Sequence, residues 1–181
     1  MKIETCIMER RSVRKYSEKD VSEEVINEVI SLARYAPSWK NTQVVRYHVI
    51  KTPQIKADIA NHCVLDFEFN AKTITRCKAL VVVTVIKNIS GYEKNGDFST
   101  SKGDRWETFD AGIASQTFCL AAHSKGLGSV ILGIFDEEKM CQYIQIPENE
   151  RITALIAIGY PLEEGKAAPP RKTVEELVTY Y

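Results

Sequence analysis

The sequence predicts a mixed α/β fold of the α+β kind, and three features of its hydrophobic pattern carry that prediction. Residues 79–86 are rich in valine and apolar except for Thr84, a pattern that is typical of a strand covered on both faces. Residues 109–125 are nearly all small or apolar, which favours a buried helix. A helical stripe of apolar residues follows Ser22. With 181 residues and no repeat or linker, we expect one domain spanning residues 1–181.

The N-terminal half is expected to supply three helices and one strand. Apolar side chains in residues 3–10 fall on helical spacing and predict a short first helix. The second helix should begin after the capping residue Ser22 and end before Pro37. Residues 44–50 are β-rich and predict a strand. Residues 52–53, a threonine and a proline, are typical of the cap and first position of another helix.

The C-terminal half continues the same alternation of elements. Residues 87–105 are polar and carry three glycines, so we expect a mobile loop there. The helix at 109–125 should stop at the glycine pair that follows it. Residues 161–181 are polar and proline-bearing, and we expect them to end in a brief helix. The other expected elements are core strands at 129–132 and 152–158, with a helix between them that begins near Asp136.

Composition excludes several function classes. The formal net charge is zero, from 24 basic and 24 acidic residues, which argues against a nucleic-acid partner. Five cysteines without a CxxC pair argue against a metal site or a disulfide framework. No apolar run reaches the ~20 residues that a membrane span needs, and the first residues lack a secretory pattern, so we expect a cytoplasmic protein without a membrane partner. Dinucleotide, Walker and nucleophile-elbow motifs are absent from the sequence, which suggests that a cofactor carries the chemistry.

The segment Arg10-Arg11-Ser12-Val13-Arg14 is the strongest functional signal. Three guanidinium groups and a hydroxyl fall within five residues. Arginine presents a planar fork of donors that suits a phosphate or the polar edge of a ring. One interpretation is therefore a site for a small phosphorylated ligand. The alternative is a solvated basic end of the first helix, which the helix dipole would favour.

Residues 36–43 contain the sequence APSWKNTQ, which has two interpretations. Proline, serine and asparagine are turn formers, so an ordinary loop between helix and strand explains them. Alternatively, the loop contacts a planar ligand and Trp39 forms a stacking wall, although a buried tryptophan is more often part of a core.

Two later segments are weaker candidates. Residues 131–136 join a strand to a helix start, and Gly133 would allow a ligand to approach the backbone closely. The alternative is a plain strand-to-helix turn. Lys166, Arg171 and Lys172 would contact a phosphate only if the tail folds toward Arg10, and a solvated charged tail is the other interpretation.

Taken in order, these pieces resemble the nitroreductase family of FMN-dependent oxidoreductases. The resemblance covers nearly the whole chain and rests on RRSVRKY, APSWKNTQ, DAGIASQTFCLAAHSKGLGSV, ILGIFD, and ITALIAIGYP with a terminal PRKTVEELV. It implies a central mixed sheet wrapped by helices and an intertwined homodimer with two FMN sites at its interface. It also implies electron transfer from NADH or NADPH through the flavin to small acceptors, such as nitroaromatics or quinones, in ping-pong turnover.

The resemblance assigns roles to the arginine segment and to the glycine. Arg10 and Ser12 match positions that hold the FMN phosphate and ribityl chain, and Arg11 would assist with the phosphate. Arg14 matches a cationic position at the pyrimidine edge, where it would stabilise the charge of the reduced flavin. By analogy, the backbone N–H of Gly133 would bond the hydride-accepting nitrogen. Arg14 and Gly133 are therefore the expected catalytic residues.

Further cofactor contacts are implied by the same resemblance. Pro37, Ser38, Trp39 and Asn41 match a loop that reaches the flavin from the partner subunit, and Gln43 lies close to it. The other implied contacts are Asn70, Leu132 at the strand end, and Arg171 with Lys172 at the phosphate.

Departures from the family pattern leave the acceptor undefined. This chain has Trp39-Lys40 where the family usually has small residues, and Val44 where a proline is common. Loop 87–105 is the expected lining of the acceptor cleft. A flavin-binding protein without turnover, or a flavin-destroying or dehalogenating relative on the same scaffold, remains an alternative.

Overall fold

The structure, a computed structural model, describes residues 2–163 and 167–181. Its helices are α1 (Ile3–Glu9), α2 (Glu23–Ala33), α3 (Pro53–His62), α4 (Glu68–Arg76), α5 (Arg105–Ser124) and α6 (Glu137–Tyr143), and a short 3₁₀ turn covers Trp39–Asn41. Its strands are β1 (Val45–Ile50), β2 (Ala79–Ile86), β3 (Gly128–Leu132) and β4 (Glu150–Gly159).

The four strands form one antiparallel sheet in the order β1-β2-β4-β3. A separate parallel bridge between Ser12 and Ser129 attaches the arginine segment to strand β3. The register between β2 and β4 shifts between Val83 and Thr84. The predicted α+β class, with a sheet wrapped by helices, is confirmed.

Helices cover the sheet on both faces, as the sequence of β2 predicts. Leu80 and Val82 point into a core shared with α3, α4 and α6. Val81 and Val83 point the other way, into a core shared with α2 and with Phe118 of α5. Residues 79–85 are all buried, because alternate side chains of a strand enter opposite layers.

Most element boundaries follow their local signals. Ser22 caps α2 by accepting a hydrogen bond from the Val25 N–H, and Asp136 caps α6 by accepting one from the Lys139 N–H. Gly126, at φ +76°, follows the last turn of α5 in the left-handed conformation that glycine adopts freely. The predictions of these three boundaries are confirmed.

Three expectations need revision. The tail was predicted to end in a brief helix, and this prediction was wrong. One hydrogen-bonded turn forms at Val174–Val178. The threonine and two tyrosines that follow are exposed and have no core to pack against. Helix α4 was not predicted, and α5 begins four residues earlier than expected. Within residues 2–163 and 167–181, no helix has the length and apolar character that a bilayer crossing requires.

Candidate functional site

Two cavities contain residues that the sequence predicts to bind a ligand. The larger of the two, of about 600 Å³, lies between the arginine segment and helix α4. Residues 9–15 form one wall. The facing wall comes from one side of α4, with residues at positions i, i+3, i+4 and i+7: Phe69, Lys72, Thr73 and Arg76. His123 and residues 126–128, which join α5 to β3, also line the cavity. Its volume suits a nucleotide-sized ligand.

Close packing on two glycines holds the arginine segment in place. The Val13 N–H donates to the Ser129 carbonyl at 3.0 Å. A Cβ on Gly128 would lie 2.6 Å from the Val13 Cβ, so only glycine permits this approach. The Tyr16 ring covers Gly159 in the same way. These contacts hold the segment against β3 and β4.

Positive charge at this cavity is only partly neutralised. Among the described residues, the guanidinium groups of Arg10, Arg14 and Arg76 form no ion pair with a carboxylate. Lys72 pairs with Glu68 at 2.5 Å, and Lys15 lies 3.9 Å from Glu163. Three unpaired guanidinium groups at one cavity favour an anionic ligand.

Arg11 and His123 carry buried nitrogens without a partner. The Arg11 Nη1 donates to the carbonyls of Met8 and Arg10, which caps the C-terminus of α1, while its Nε has no acceptor in the described structure. The His123 Nε2 is also buried without a partner there, and burial, with the nearby Arg10 and Arg11 charges, lowers the pKa of this imidazole. Buried polar atoms without a partner are uncommon in folded proteins, so these two nitrogens mark a part of the cavity wall whose hydrogen bonds are incomplete.

A second cavity, of about 350 Å³, is lined by part of the loop at residues 37–43, which we call the Trp39 loop. Pro37, Ser38 and Gln43 contribute to its wall. The backbone of this loop is strained, because Lys40, Asn41 and Gln43 all have positive φ, at 45°, 55° and 50°. Strain of this kind is typical of functional loops that their surroundings hold in place.

Asp110 of α5 holds the Trp39 loop, and sequence reasoning missed it. Both carboxylate oxygens accept the Trp39 backbone N–H, at 3.1 and 3.0 Å, and Oδ2 also accepts the Ser90 hydroxyl at 2.7 Å. The Trp39 ring packs against Trp106 of α5, with the centroids 4.5 Å apart. One signal was available: Asp110 is an acidic residue inside a stretch predicted to be buried.

Asn70 contacts the turn at the end of β3, one residue after Gly133. The Asn70 Nδ2 donates to the Ile134 carbonyl at 2.9 Å, so this buried amide supports the turn that follows Gly133. Gly133 is exposed, and a Cβ there would meet nothing within 4 Å. Leu132 is buried in the core, so its backbone alone can face a ligand.

The tail residues expected at the phosphate do not line the larger cavity within one chain. Residues 167–181 are all exposed, and the Arg171 Nη1 donates to the carbonyls of Pro169 and Pro170. Lys172 is exposed beside it, and Lys166 lies outside the described residues. Arg10, Arg11, Ser12 and Arg14 thus meet at one cavity, the Trp39 loop lines another, and the tail lies at neither.

Sequence reasoning also missed the α4 wall of the larger cavity. Lys72 and Arg76 add cations that face the arginine segment. Their signal was the spacing of residues 69, 72, 73 and 76 on one helical face, which becomes visible only once α4 is known to be a helix. No group of three potential metal ligands occurs among the residues that the structure describes.

The fold and the site define a class: an antiparallel sheet wrapped by helices, with a cation-rich cavity whose charge suits a phosphorylated ligand. Comparison with known proteins identifies the family within this class. The model of the nitroreductase family matches residues 7–160. The chain therefore belongs to the nitroreductase family.

Individual relatives agree with this assignment. An Archaeoglobus fulgidus protein, provisionally named NADH dehydrogenase/NAD(P)H nitroreductase, is 28% identical over 162 residues, which are 87% of this chain and 84% of the relative. Iodotyrosine deiodinase 1 of Sus scrofa is 26% identical over 190 residues, covering 93% of this chain and 65% of the deiodinase. The solved structure of an FMN-dependent nitroreductase from Clostridium difficile R20291 superposes with a TM-score of 0.78 at 22% identity, covering 98% of both chains.

Proposed function

We propose that this chain is an FMN-dependent oxidoreductase that moves electrons from NADH or NADPH to a small organic acceptor. The observation that carries the proposal is the set of three unpaired guanidinium groups, of Arg10, Arg14 and Arg76, at a cavity of about 600 Å³. A phosphate dianion on a planar ring system matches both the charge and the volume of that cavity. Membership of the nitroreductase family supports the same ligand.

The residues of the arginine segment would divide the work of binding. Arg10 and Ser12 would hold the phosphate and the ribityl chain, with Arg11 Nε as a further donor that has no acceptor among the described residues. The Arg14 guanidinium would stabilise negative charge on the pyrimidine side. The backbone N–H of Gly133 would donate to the reactive edge of the ring. Bound FMN would supply the redox chemistry itself, taking an electron pair from the nicotinamide and passing it to the acceptor.

A homodimer would complete each site. The arginine segment and the Trp39 loop line different cavities of one chain, so one flavin can contact both only if two chains contribute. Exposed apolar side chains support a partner: Ile7 and Met8 on α1, and Phe109 on α5, are more than half exposed. The exposed tail would bring Arg171 and Lys172 to the phosphate from a second chain.

We expect the nicotinamide and the acceptor to use the same open face of the ring in turn, which predicts ping-pong kinetics. Nitroaromatics and quinones are the acceptors to test first. A second candidate, reductive dehalogenation, is favoured by the similarity to iodotyrosine deiodinase over 93% of this chain. Release of iodide from iodotyrosine, measured beside reduction of a nitroaromatic, separates the two.

The deciding experiment is the absorbance spectrum of the purified protein before and after NADH or NADPH under nitrogen. We expect a yellow protein with a flavin spectrum that bleaches on addition of either nucleotide. A colourless protein that takes up no added FMN would overturn the proposal. Flavin that stays oxidised under excess NADH and NADPH would instead indicate a binding protein without turnover.

A further inference from the structure

We propose that Asp110 is a positioning residue whose buried carboxylate fixes the Trp39 loop on helix α5. Its effect on the flavin rests on the proposed function, because only a loop that reaches the cofactor can change its affinity. Its effect on the loop itself does not rest on that function. The two effects are therefore measured separately.

The contacts of Asp110 are those of an anchor. The side chain is 2% exposed. The Trp39 N–H is shared between its two oxygens, and the Ser90 hydroxyl donates to Oδ2 at 2.7 Å. No cation pairs with Asp110 within the described part of the chain. The Trp39 N–H and the Ser90 hydroxyl are thus the donors that Asp110 accepts in the described structure. Hydrogen bonds to a charged group are stronger than hydrogen bonds between neutral groups.

The backbone of the Trp39 loop needs such an anchor. Positive φ angles occur at Lys40, Asn41 and Gln43, which lie close together in the loop, and none of them is a glycine. Such a backbone persists only when contacts with the surrounding structure hold it in place. Ser38 supplies one support from within the loop, by accepting the Gln43 N–H at 2.9 Å. Asp110 supplies the support from outside, directly beside the strained residues.

The anchored loop also presents polar atoms that the described structure leaves unsatisfied. The Trp39 Nε1 and the Thr42 Oγ1 are buried without a hydrogen-bond partner there. A loop at its own local optimum would satisfy them. Asp110 therefore holds the loop in a conformation in which two of its own polar atoms lack a hydrogen-bond partner in the described structure.

A spectroscopic signature makes the position of the loop measurable without cofactor. The chain has two tryptophans, and they are Trp39 of the loop and Trp106 of α5, with ring centroids 4.5 Å apart and planes at 45°. Two indoles at this distance and angle should couple and give an exciton couplet in the far-ultraviolet circular dichroism spectrum. Trp106→Phe, which removes one member of the pair, should abolish the couplet and thereby identify it.

Asp110→Asn keeps the size of the side chain but leaves one acceptor for two donors. We expect the couplet to collapse in the flavin-free protein, and the dissociation constant of FMN to rise about tenfold or more in the full-length protein. Ser90→Ala removes the hydroxyl that orients the carboxylate, so it should change both readouts in the same direction by a smaller factor. It also tests the proposal if Asp110→Asn fails to fold.

Glu107→Gln is the matched control. Glu107 lies one turn earlier on α5 and is equally buried. Its partners in the described structure are the Asn88 N–H, which it accepts, and Arg151 at 3.3 Å, and neither belongs to the Trp39 loop. We expect this variant to keep the couplet and the FMN affinity. The proposal is overturned if the couplet survives in Asp110→Asn, or is lost to the same extent in Glu107→Gln. A parent protein that shows the couplet but binds no FMN would contradict the proposed function. The couplets of the parent, Asp110→Asn and Glu107→Gln would then still test whether Asp110 holds the loop.

Discussion

At the scale of single residues, the two ends of the arginine segment should have separable effects. Arg10→Ala is expected to weaken FMN binding by about 1.5–3 kcal/mol, because it removes a bond to a charged phosphate. Arg14→Ala is expected to slow flavin reduction by NADPH more than it weakens binding, because its charge matters most when the ring is reduced. Fluorescence titration with FMN and stopped-flow reduction measure the two effects.

Arg105→Ala is the control for both variants, since Arg105 is exposed at the start of α5 and lines neither cavity. It should leave affinity and reduction rate near those of the parent. Unchanged FMN affinity in Arg10→Ala would refute the phosphate assignment. Equal reduction rates in Arg14→Ala and the parent would count against charge stabilisation by Arg14.

Glu150 should make stability depend on acid pH. Its carboxylate accepts from Thr84 and from the His48 Nε2, the latter at 2.7 Å. Burial acts to raise the pKa of Glu150, but these hydrogen bonds and the nearby charges of His48 and Arg46 outweigh it and lower the pKa. The stabilisation is therefore present above the unfolded pKa, about 4.3, and is lost as pH falls through the folded value.

Glu150→Gln should flatten the acid limb of the stability curve, because the amide cannot ionise. Urea unfolding between about pH 3 and pH 6 measures this. Glu138→Gln, an exposed position on α6, serves as the control and should keep the slope of the parent. The same acid slope in Glu150→Gln and the parent would show that another group controls it.

Local sequence was enough to find the arginine segment, since Arg10, Ser12 and Arg14 are neighbours in the chain. It could not find Arg76 or Asp110. Arg76 reaches the cavity because α4 packs opposite the segment, and Asp110 reaches the Trp39 N–H across 71 residues of sequence. Such placements depend on tertiary packing, which no spacing within one element encodes.

At the scale of elements, the attachment of the arginine segment to β3 depends on Gly128. Gly128→Ala would place a methyl group 2.6 to 2.8 Å from three carbons of Val13, so the segment must move. We expect a loss of about 1–3 kcal/mol in the free energy of unfolding and weaker FMN binding. Thermal unfolding and FMN titration measure the two effects.

Gly133→Ala is the control for stability, because a Cβ at Gly133 meets nothing within 4 Å. Its free energy of unfolding should stay near that of the parent. A Gly128→Ala protein with the stability and FMN affinity of the parent would mean that Val13 adjusts without moving the arginines.

Elements with strong local signals were predictable and others were not. β2 is apolar except for Thr84, and α5 is mostly small or apolar from residue 109 onward. Helices α2 and α6 had capping residues at their starts. Helix α4 had no side-chain cap, and two of the three residues that it buries, Asn70 and Thr73, are polar. Packing against α3 stabilises its helical form. In the tail, Thr173 and Glu176 form a reciprocal cap. The helix nevertheless ends after one turn, because no described element packs against it.

At the scale of the whole molecule, the residues proposed to bind FMN do not come together within one chain. The arginine segment and the Trp39 loop line separate cavities, and the tail contacts neither. From residue 109 onward α5 is mostly small and apolar, and such a helix normally lies inside a protein, yet Phe109 is 57% exposed. A second copy of the chain would cover these surfaces and bring the parts together.

The tail offers the sharpest test of that assembly. Val174 and Leu177 are 67% and 70% exposed, so within one chain their replacement by aspartate costs little. If the tail packs on a partner, the double variant Val174→Asp with Leu177→Asp buries two charges at the interface and should dissociate the dimer. Because the proposed site needs both chains, FMN should be released at the same time. Light scattering during gel filtration, with absorbance recorded at the flavin band, follows both changes.

Glu175→Lys is the matched control, since it alters charge on the same turn without touching an apolar side chain. It should remain a yellow dimer. A double variant that stays dimeric and yellow would place the interface elsewhere than on the tail, whereas a monomer that keeps its flavin would show that a single chain completes the site. Dissociation with loss of flavin, in the double variant alone, is the result that a shared site requires.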